Sequence, residues 1–219
     1  MLEKTTVKIF FFGDSICFGQ GVSPNRVWVN RIAEDLMTGF PSVDIVVQNP
    51  SVNGNTTRMA LERIAYDVQS HQPDVLIIQF GMNDCNVWQT DHGHTRVSPM
   101  AFKANLHEMV DRGRIFGARR VILGTNHPST RTGTMPQCNL TYQDSNRAFN
   151  ALTRQVAREK DVRLVDMEAA IELAVKNGAT SDDFVLADQL HLSHKGHAIY
   201  AQEYGPVVKD AVRHMVPAD

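Results

Sequence analysis

The chain has 219 residues, 42% of them hydrophobic and 21% charged, which suits one α/β domain able to bury a sizeable core. A formal net charge of −2 and a pI near 6.5 leave no basic surface for nucleic acid or an anionic membrane. No apolar stretch approaches the ~18 residues of a membrane span, and the densest basic pair, Arg119-Arg120, merely flanks a strand.

At the N-terminus, Met1-Leu2-Glu3-Lys4-Thr5-Thr6 carries one acid and one base ahead of a short apolar run. That run stops at Gly13 without a small-residue cleavage site, so it reads as a strand and not as a signal peptide. Four further apolar, β-branched runs follow at 43–47, 75–80, 121–124 and 162–165. Continuous apolarity without alternation is the pattern of strands covered on both faces. Between them the period is helical: Trp28, Ile32 and Leu36, then Ala60, Ile64 and Val68, then Phe102, Leu106, Met109 and Val110, then Phe149, Leu152 and Val156. Ser98-Pro99 has the form of an N-cap followed by proline in the first helical position. Ser193 caps a last helix that turns Ile199 and Tyr200 inward and that Gly205-Pro206 should kink or interrupt.

Alternating strand and helix predicts one domain over 1–219, a three-layer α/β/α sandwich of flavodoxin-like type around a five-stranded parallel sheet. Ligands of such sheets bind beyond the carboxyl ends of the strands, where the strand order reverses. Gly13-Asp14-Ser15 follows the first strand, Asn53-Gly54-Asn55 the second, and Gly81-Met82-Asn83-Asp84 the third; Asp188-Gln189-Leu190-His191 precedes the last helix. All four polar clusters should therefore share one edge.

Their chemistry is complementary. Alone, Asp14-Ser15 reads as a turn or helix cap, but Asp188, three residues before His191, can fix one tautomer of an imidazole that takes the Ser15 proton. Gly54 can offer a main-chain N–H and Asn83 a side-chain N–H to a developing oxyanion; each is otherwise a turn residue. Asp84 suits holding its loop through main-chain bonds, and Asp14 suits positioning the Ser15 turn. Residues 13–17 read Gly-Asp-Ser-Ile-Cys, which is not the Gly-x-Ser-x-Gly elbow. Cys17 is a rival nucleophile whose position two residues along the turn points it elsewhere, as inert packing.

His194 and His197 lie close enough to line the entrance, yet no carboxylate or cysteine completes a metal set with them. Asp91, His92 and His94 fit a solvated loop bordering the pocket better than a metal site. Cys17, Cys85 and Cys138 are odd in number and irregularly spaced, which favours a reduced, cytoplasmic setting. No metal or organic cofactor is called for.

The four clusters in this order resemble the SGNH hydrolases, also called the GDSL esterase/lipase family, and the likeness spans nearly the whole chain. The resemblance implies a Ser15–His191–Asp188 triad and an oxyanion hole made of the Ser15 N–H, the Gly54 N–H and the Asn83 side chain. One departure is Asn126-His127-Pro128, where many relatives look more like Thr-Pro-x-Pro; His127 either contacts substrate or caps the strand end. The expected activity is hydrolysis of a small carboxylic ester, with short acyl groups favoured. Trp88, His92, His94 and His127 suggest a polar, aromatic-bordered entrance suited to an acylated carbohydrate. Acyl transfer to a sugar or alcohol would use the same groups. A non-catalytic flavodoxin-like binding module is the remaining alternative, but no Gly-x-x-x-x-Gly-Lys-Ser/Thr or Gly-x-Gly-x-x-Gly sequence follows any strand.

Overall fold

The five apolar runs form β1 (Thr6–Gly13), β2 (Asp44–Gln48), β3 (Val75–Gln79), β4 (Arg120–Gly124) and β5 (Arg163–Val165), all parallel, in the order β2-β1-β3-β4-β5. The structure is a computed structural model and describes residues 5–216; the expectation for 1–4 lies outside them. This order is the flavodoxin-like one, whose reversal falls between β1 and β3. Every residue of β3 is buried, as its unbroken apolarity requires. The edge strand β2 departs from the fully covered pattern, because Asp44 and Gln48 at its ends are exposed while Ile45 is buried.

Among the described residues seven helices cover the sheet: α1 (Ser15–Phe18), α2 (Trp28–Gly39), α3 (Thr57–Asp67), α4 (Pro99–Ile115), α5 (Tyr142–Glu159), α6 (Met167–Lys176) and α7 (His194–Arg213). On one face α3, α4 and α5 lie side by side; on the other α7 packs between α2 and α6. The caps follow sequence chemistry. Ser98 accepts from the Ala101 N–H at 3.3 Å with Pro99 in the first turn, and Ser193 accepts from the Gly196 N–H at 3.1 Å.

Of the kink or interruption expected at Gly205-Pro206, the interruption is absent, since α7 runs through both residues. Proline costs that helix one hydrogen bond, but Tyr200, Tyr204, Val208, Ala211 and Val212 are buried on either side of it. Burial of that stripe outweighs the missing bond. No helix among the described residues is long and apolar enough to cross a membrane.

One buried aromatic cluster ties the helices to the strand that carries Ser15. Trp28 is fully buried, edge-on to Phe11 of β1 at 5.2 Å and 4.5 Å from the ring of Tyr204. Its indole N–H donates to the Ile16 carbonyl at 3.0 Å, which fastens α2 to α1. Val27 offers no side-chain cap to α2; instead His197, from α7, accepts from the Trp28 main-chain N–H at 3.3 Å. His197 is 1% exposed, so it is part of this packing and does not line an entrance as its spacing suggested. His194 is exposed.

Candidate active site

β1 ends at Gly13, where the chain turns under conditions only glycine meets. A Cβ there would stand 2.5 Å from Cys17 Sγ and 2.7 Å from the Gln79 carbonyl. Asp14 caps α1 by accepting from the Ile16 N–H at 3.0 Å, and Ser15 occupies the first helical position. Ser15 Oγ lies 3.0 Å from His191 Nε2, and His191 Nδ1 lies 2.5 Å from Asp188 Oδ2. Asp188 Oδ1 accepts from the main-chain N–H groups of Leu190 and His191, each at 3.0 Å. Partial burial pushes the Asp188 carboxyl upward, but the His191 ring and these main-chain donors outweigh it and hold it below its ordinary value. A carboxylate at Nδ1 places the ring proton there and leaves the Nε2 lone pair for the serine hydroxyl.

The Asp188–His191 turn is closed by its own hydrogen bonds. The Leu186 N–H reaches the His191 carbonyl at 2.7 Å, the Gln189 N–H reaches the Leu186 carbonyl at 2.8 Å, and Val185 and Leu192 form an isolated antiparallel bridge. Gln189 pays for this compactness with a left-handed backbone, φ +64°.

Beside Ser15, residues 52–55 form a tight turn in which the Asn55 N–H reaches the Val52 carbonyl at 3.2 Å and Gly54 takes φ +77°. Glycine is the residue suited to that third turn position. Neither the Ser15 nor the Gly54 N–H has an acceptor among the described residues. The Asn83 side-chain N–H groups point to Asp14 Oδ2 at 3.3 Å and to the Asn55 carbonyl at 3.1 Å. The structure thus brings Ser15, Gly54, Asn83, Asp188 and His191 to the carboxyl ends of β1, β2 and β3, at the switch point.

Two buried carboxyls sit beneath. Burial drives Asp14 up to about 7, against its bond from Ile16 and with help from the nearby charge of Asp84. Burial likewise drives Asp84 up to about 6, against two bonds from Thr57, a main-chain N–H at 2.9 Å and the hydroxyl. Asp84 thereby fastens the loop after β3 to the start of α3. Cys17 is buried with Sγ 3.4 Å from Gln79 Oε1, and burial raises its thiol well above the ordinary value, so it is inert at neutral pH.

His127 touches no entrance. It is 0% exposed and bonded to Tyr200 and Leu190, and burial pushes it down to about 4, so it stays neutral. In the 91–94 loop, Asp91 accepts from the Trp88 N–H at 2.7 Å and His92 meets Gln137 at 3.0 Å. No group of three His, Cys, Asp or Glu side chains that could hold a metal occurs among the described residues.

One residue near the site carries no sequence signal. Arg96 stacks over Trp88, 3.9 Å from its ring centroid, and its Nη1 lies 3.3 Å from the Gly54 carbonyl and 3.5 Å from Asn83 Oδ1. It stands in a polar loop at no fixed offset from any cluster.

An α/β fold that sets a serine hydroxyl, an imidazole and a carboxylate in one hydrogen-bonded line has the parts of nucleophilic acyl transfer. Comparison with known proteins gives the family. Residues 11–199 match the model of the GDSL-like lipase/acylhydrolase family. An arylesterase of Vibrio mimicus is 23% identical over 97% of this chain and 92% of its own. An acetylxylan esterase of Geobacillus stearothermophilus is 25% identical, covering 90% of this chain and 91% of its own. Among solved structures, the lipase/acylhydrolase of Enterococcus faecalis superposes with a TM-score of 0.74 at 24% identity, over 93% of this chain and 96% of that one. The chain belongs to the GDSL-like lipase/acylhydrolase family and is a carboxylic ester hydrolase.

Proposed function

We propose that the protein hydrolyses esters through an acyl-enzyme on Ser15. The observation that carries this reading is the line Asp188 Oδ2–His191 Nδ1 at 2.5 Å and His191 Nε2–Ser15 Oγ at 3.0 Å. Ser15 attacks the acyl carbon while His191 takes its proton, and Asp188 stabilises the imidazolium. The oxyanion accepts from the Ser15 and Gly54 main-chain N–H groups and from Asn83, whose N–H now meeting the Asn55 carbonyl at 3.1 Å turns to it. His191 then protonates the leaving alcohol; water, deprotonated by the same ring, releases the acid. No group outside the polypeptide is required.

Short acyl groups, acetyl on a carbohydrate foremost, are the substrates this reading favours. The acetylxylan esterase relative supports it, as does the half-exposed Trp88 backed by Arg96, since an aromatic face suits a sugar ring. Three unpaired cysteines, two of them buried, fit a reducing compartment such as the cytoplasm.

Intact-mass analysis after treatment with phenylmethylsulfonyl fluoride tests the nucleophile. One sulfonyl adduct is expected on the wild type and none on Ser15→Ala, which should also be inactive. An adduct of equal yield on Ser15→Ala would refute Ser15. Initial rates on p-nitrophenyl esters of rising chain length, beside acetylated xylo-oligosaccharides, test the substrate class; a rate that climbs with chain length would refute it.

A further inference from the structure

We propose that the segment 127–131, which follows β4, is a clamp that positions the Asp188–His191 pair, with His127 as its central positioning residue. This inference rests on the triad reading above. The N–H groups of Gln189, Leu190 and His191 are satisfied inside their own turn. The carbonyls of Asp188, Gln189 and Leu190 are not, and all three turn to 127–131. Arg131 Nε donates to the Asp188 carbonyl at 3.2 Å. The Ser129 hydroxyl and the Thr130 N–H both donate to the Gln189 carbonyl, at 2.8 Å and 3.2 Å. His127 Nε2 meets the Leu190 carbonyl at 2.7 Å. Three successive carbonyls are thus held by four donors, one from each of four residues.

The protonation of His127 follows from its partners. A carbonyl only accepts, so the ring hydrogen is on Nε2. Nδ1 then accepts from the Tyr200 hydroxyl at 2.8 Å, and that hydroxyl in turn accepts from the His127 main-chain N–H at 3.3 Å. Tyr200 is 0% exposed, and burial holds its phenol well above the ordinary value, so it remains a donor. Asn146 completes the seat by donating to the His127 carbonyl at 2.9 Å. Each polar atom of His127 has one partner and one role, which leaves the ring a single orientation.

The turn needs such support. It contains the left-handed Gln189, φ +64°, a backbone that non-glycine residues hold only when their surroundings fix it. His191 and Asp188 stand at its two ends, so any relaxation of Gln189 moves the imidazole relative to Ser15 Oγ. The clamp follows β4 and is supported by Tyr200 of α7, elements that do not carry the nucleophile. It therefore sets the distance across the site without touching the substrate.

The test uses the full chain with p-nitrophenyl acetate, measuring kcat, KM and the melting temperature together. His127→Phe removes the Nε2 donor; a misplacement of about 1 Å costs about 10²-fold, so kcat should fall by about that factor while KM changes little. His127→Gln keeps an N–H within reach of Leu190 and should recover about tenfold of the loss, the value of one hydrogen bond to a displaced carbonyl. Ser129→Ala, a small change that keeps the fold even if His127→Phe does not, should lower kcat about three- to tenfold at unchanged KM. A merely structural role would lower the melting temperature and leave kcat of the folded fraction intact. The clamp is overturned if Ser129→Ala and His127→Gln both turn over at the wild-type kcat, or if folded His127→Phe does. Ser15→Ala, assayed alongside, separates the two readings: if it is inactive and the clamp variants are normal, only the clamp falls; if it keeps full activity, the triad and the clamp fall together.

Discussion

Asp84→Asn should make the protein more stable at neutral pH, and the structure supplies the size of the gain. Asp84 is buried, its Oδ1 accepts both Thr57 donors, and its Oδ2 has no donor among the described residues. An asparagine in the same rotamer keeps both Thr57 bonds on its oxygen and puts a neutral amide where an unpartnered anionic oxygen stood. Burial raises this carboxyl from 3.8 to about 6, against the Thr57 bonds and the charge of Arg96. Because the folded value lies above the unfolded one, the unfolded chain ionises first, and stability is lost as pH rises from about 4 through about 6. At about 1.36 kcal/mol per pH unit, the folded state carries a cost of about 3 kcal/mol once both states are ionised. Removing it should raise Tm by about 6–12 °C at pH 8, given about 2–4 °C per kcal/mol for a domain of this size. The advantage should shrink as pH falls through about 6 and vanish below about pH 3, where Asp84 is protonated in both states. Thermal melts of the two proteins at matched pH between 4 and 8 read the difference directly. A variant less stable than the wild type at pH 8, or one whose advantage does not vary with pH, would refute this account of the buried carboxyl.

Asn83→Ala should lose about 10²–10³ in kcat, the usual cost of one oxyanion donor, with a smaller change in KM. It should also lose about 1–3 kcal/mol of stability, because Asp14 Oδ2 is left without the donor now at 3.3 Å; steady-state kinetics beside a melt separate the two effects, and an early-melting variant of normal kcat would remove Asn83 from the chemistry. His191→Asn should nearly abolish turnover, whereas Asp188→Asn should retain more, its Oδ1 position still able to accept from Leu190 and His191; equal losses in the two variants would show that the carboxylate charge, and not the ring's orientation, dominates.

The sheet was legible because its strands are short apolar runs bounded by glycine or polar residues, and a parallel sheet covered on both faces leaves that mark. The ends of the strands carried the clusters for the same reason, since a loop beyond a carboxyl end is where polar residues can gather. Gly205-Pro206 did not interrupt the helix as local chemistry allowed, because the inward stripe of Tyr200, Tyr204 and Val208 is a tertiary constraint that holds it together. His197 misled in the opposite way: its nearness in sequence to His191 said nothing of its inward position against Trp28. Arg96 and the 127–131 segment left little trace, because contacts to main-chain carbonyls such as those of Gly54 and Leu190 demand a donor in the right place and no particular spacing.

The contact between Ser15 and His191 joins positions 176 residues apart. Parallel pairing and long loop closure are slow steps in assembly, and this contact needs nearly all of them: β1 seated between β2 and β3, β4 beside them, and α7 docked on Trp28. A chain caught part-way therefore has a serine with no base and a histidine with no carbonyl clamp. In the acyl-enzyme reading, cutting power switches on only at the end of maturation, and a cell holding misassembled copies holds no stray ester-cleaving nucleophile. The two ends of the chain act as an interlock, and turnover per molecule becomes a stringent measure of how many copies have finished folding.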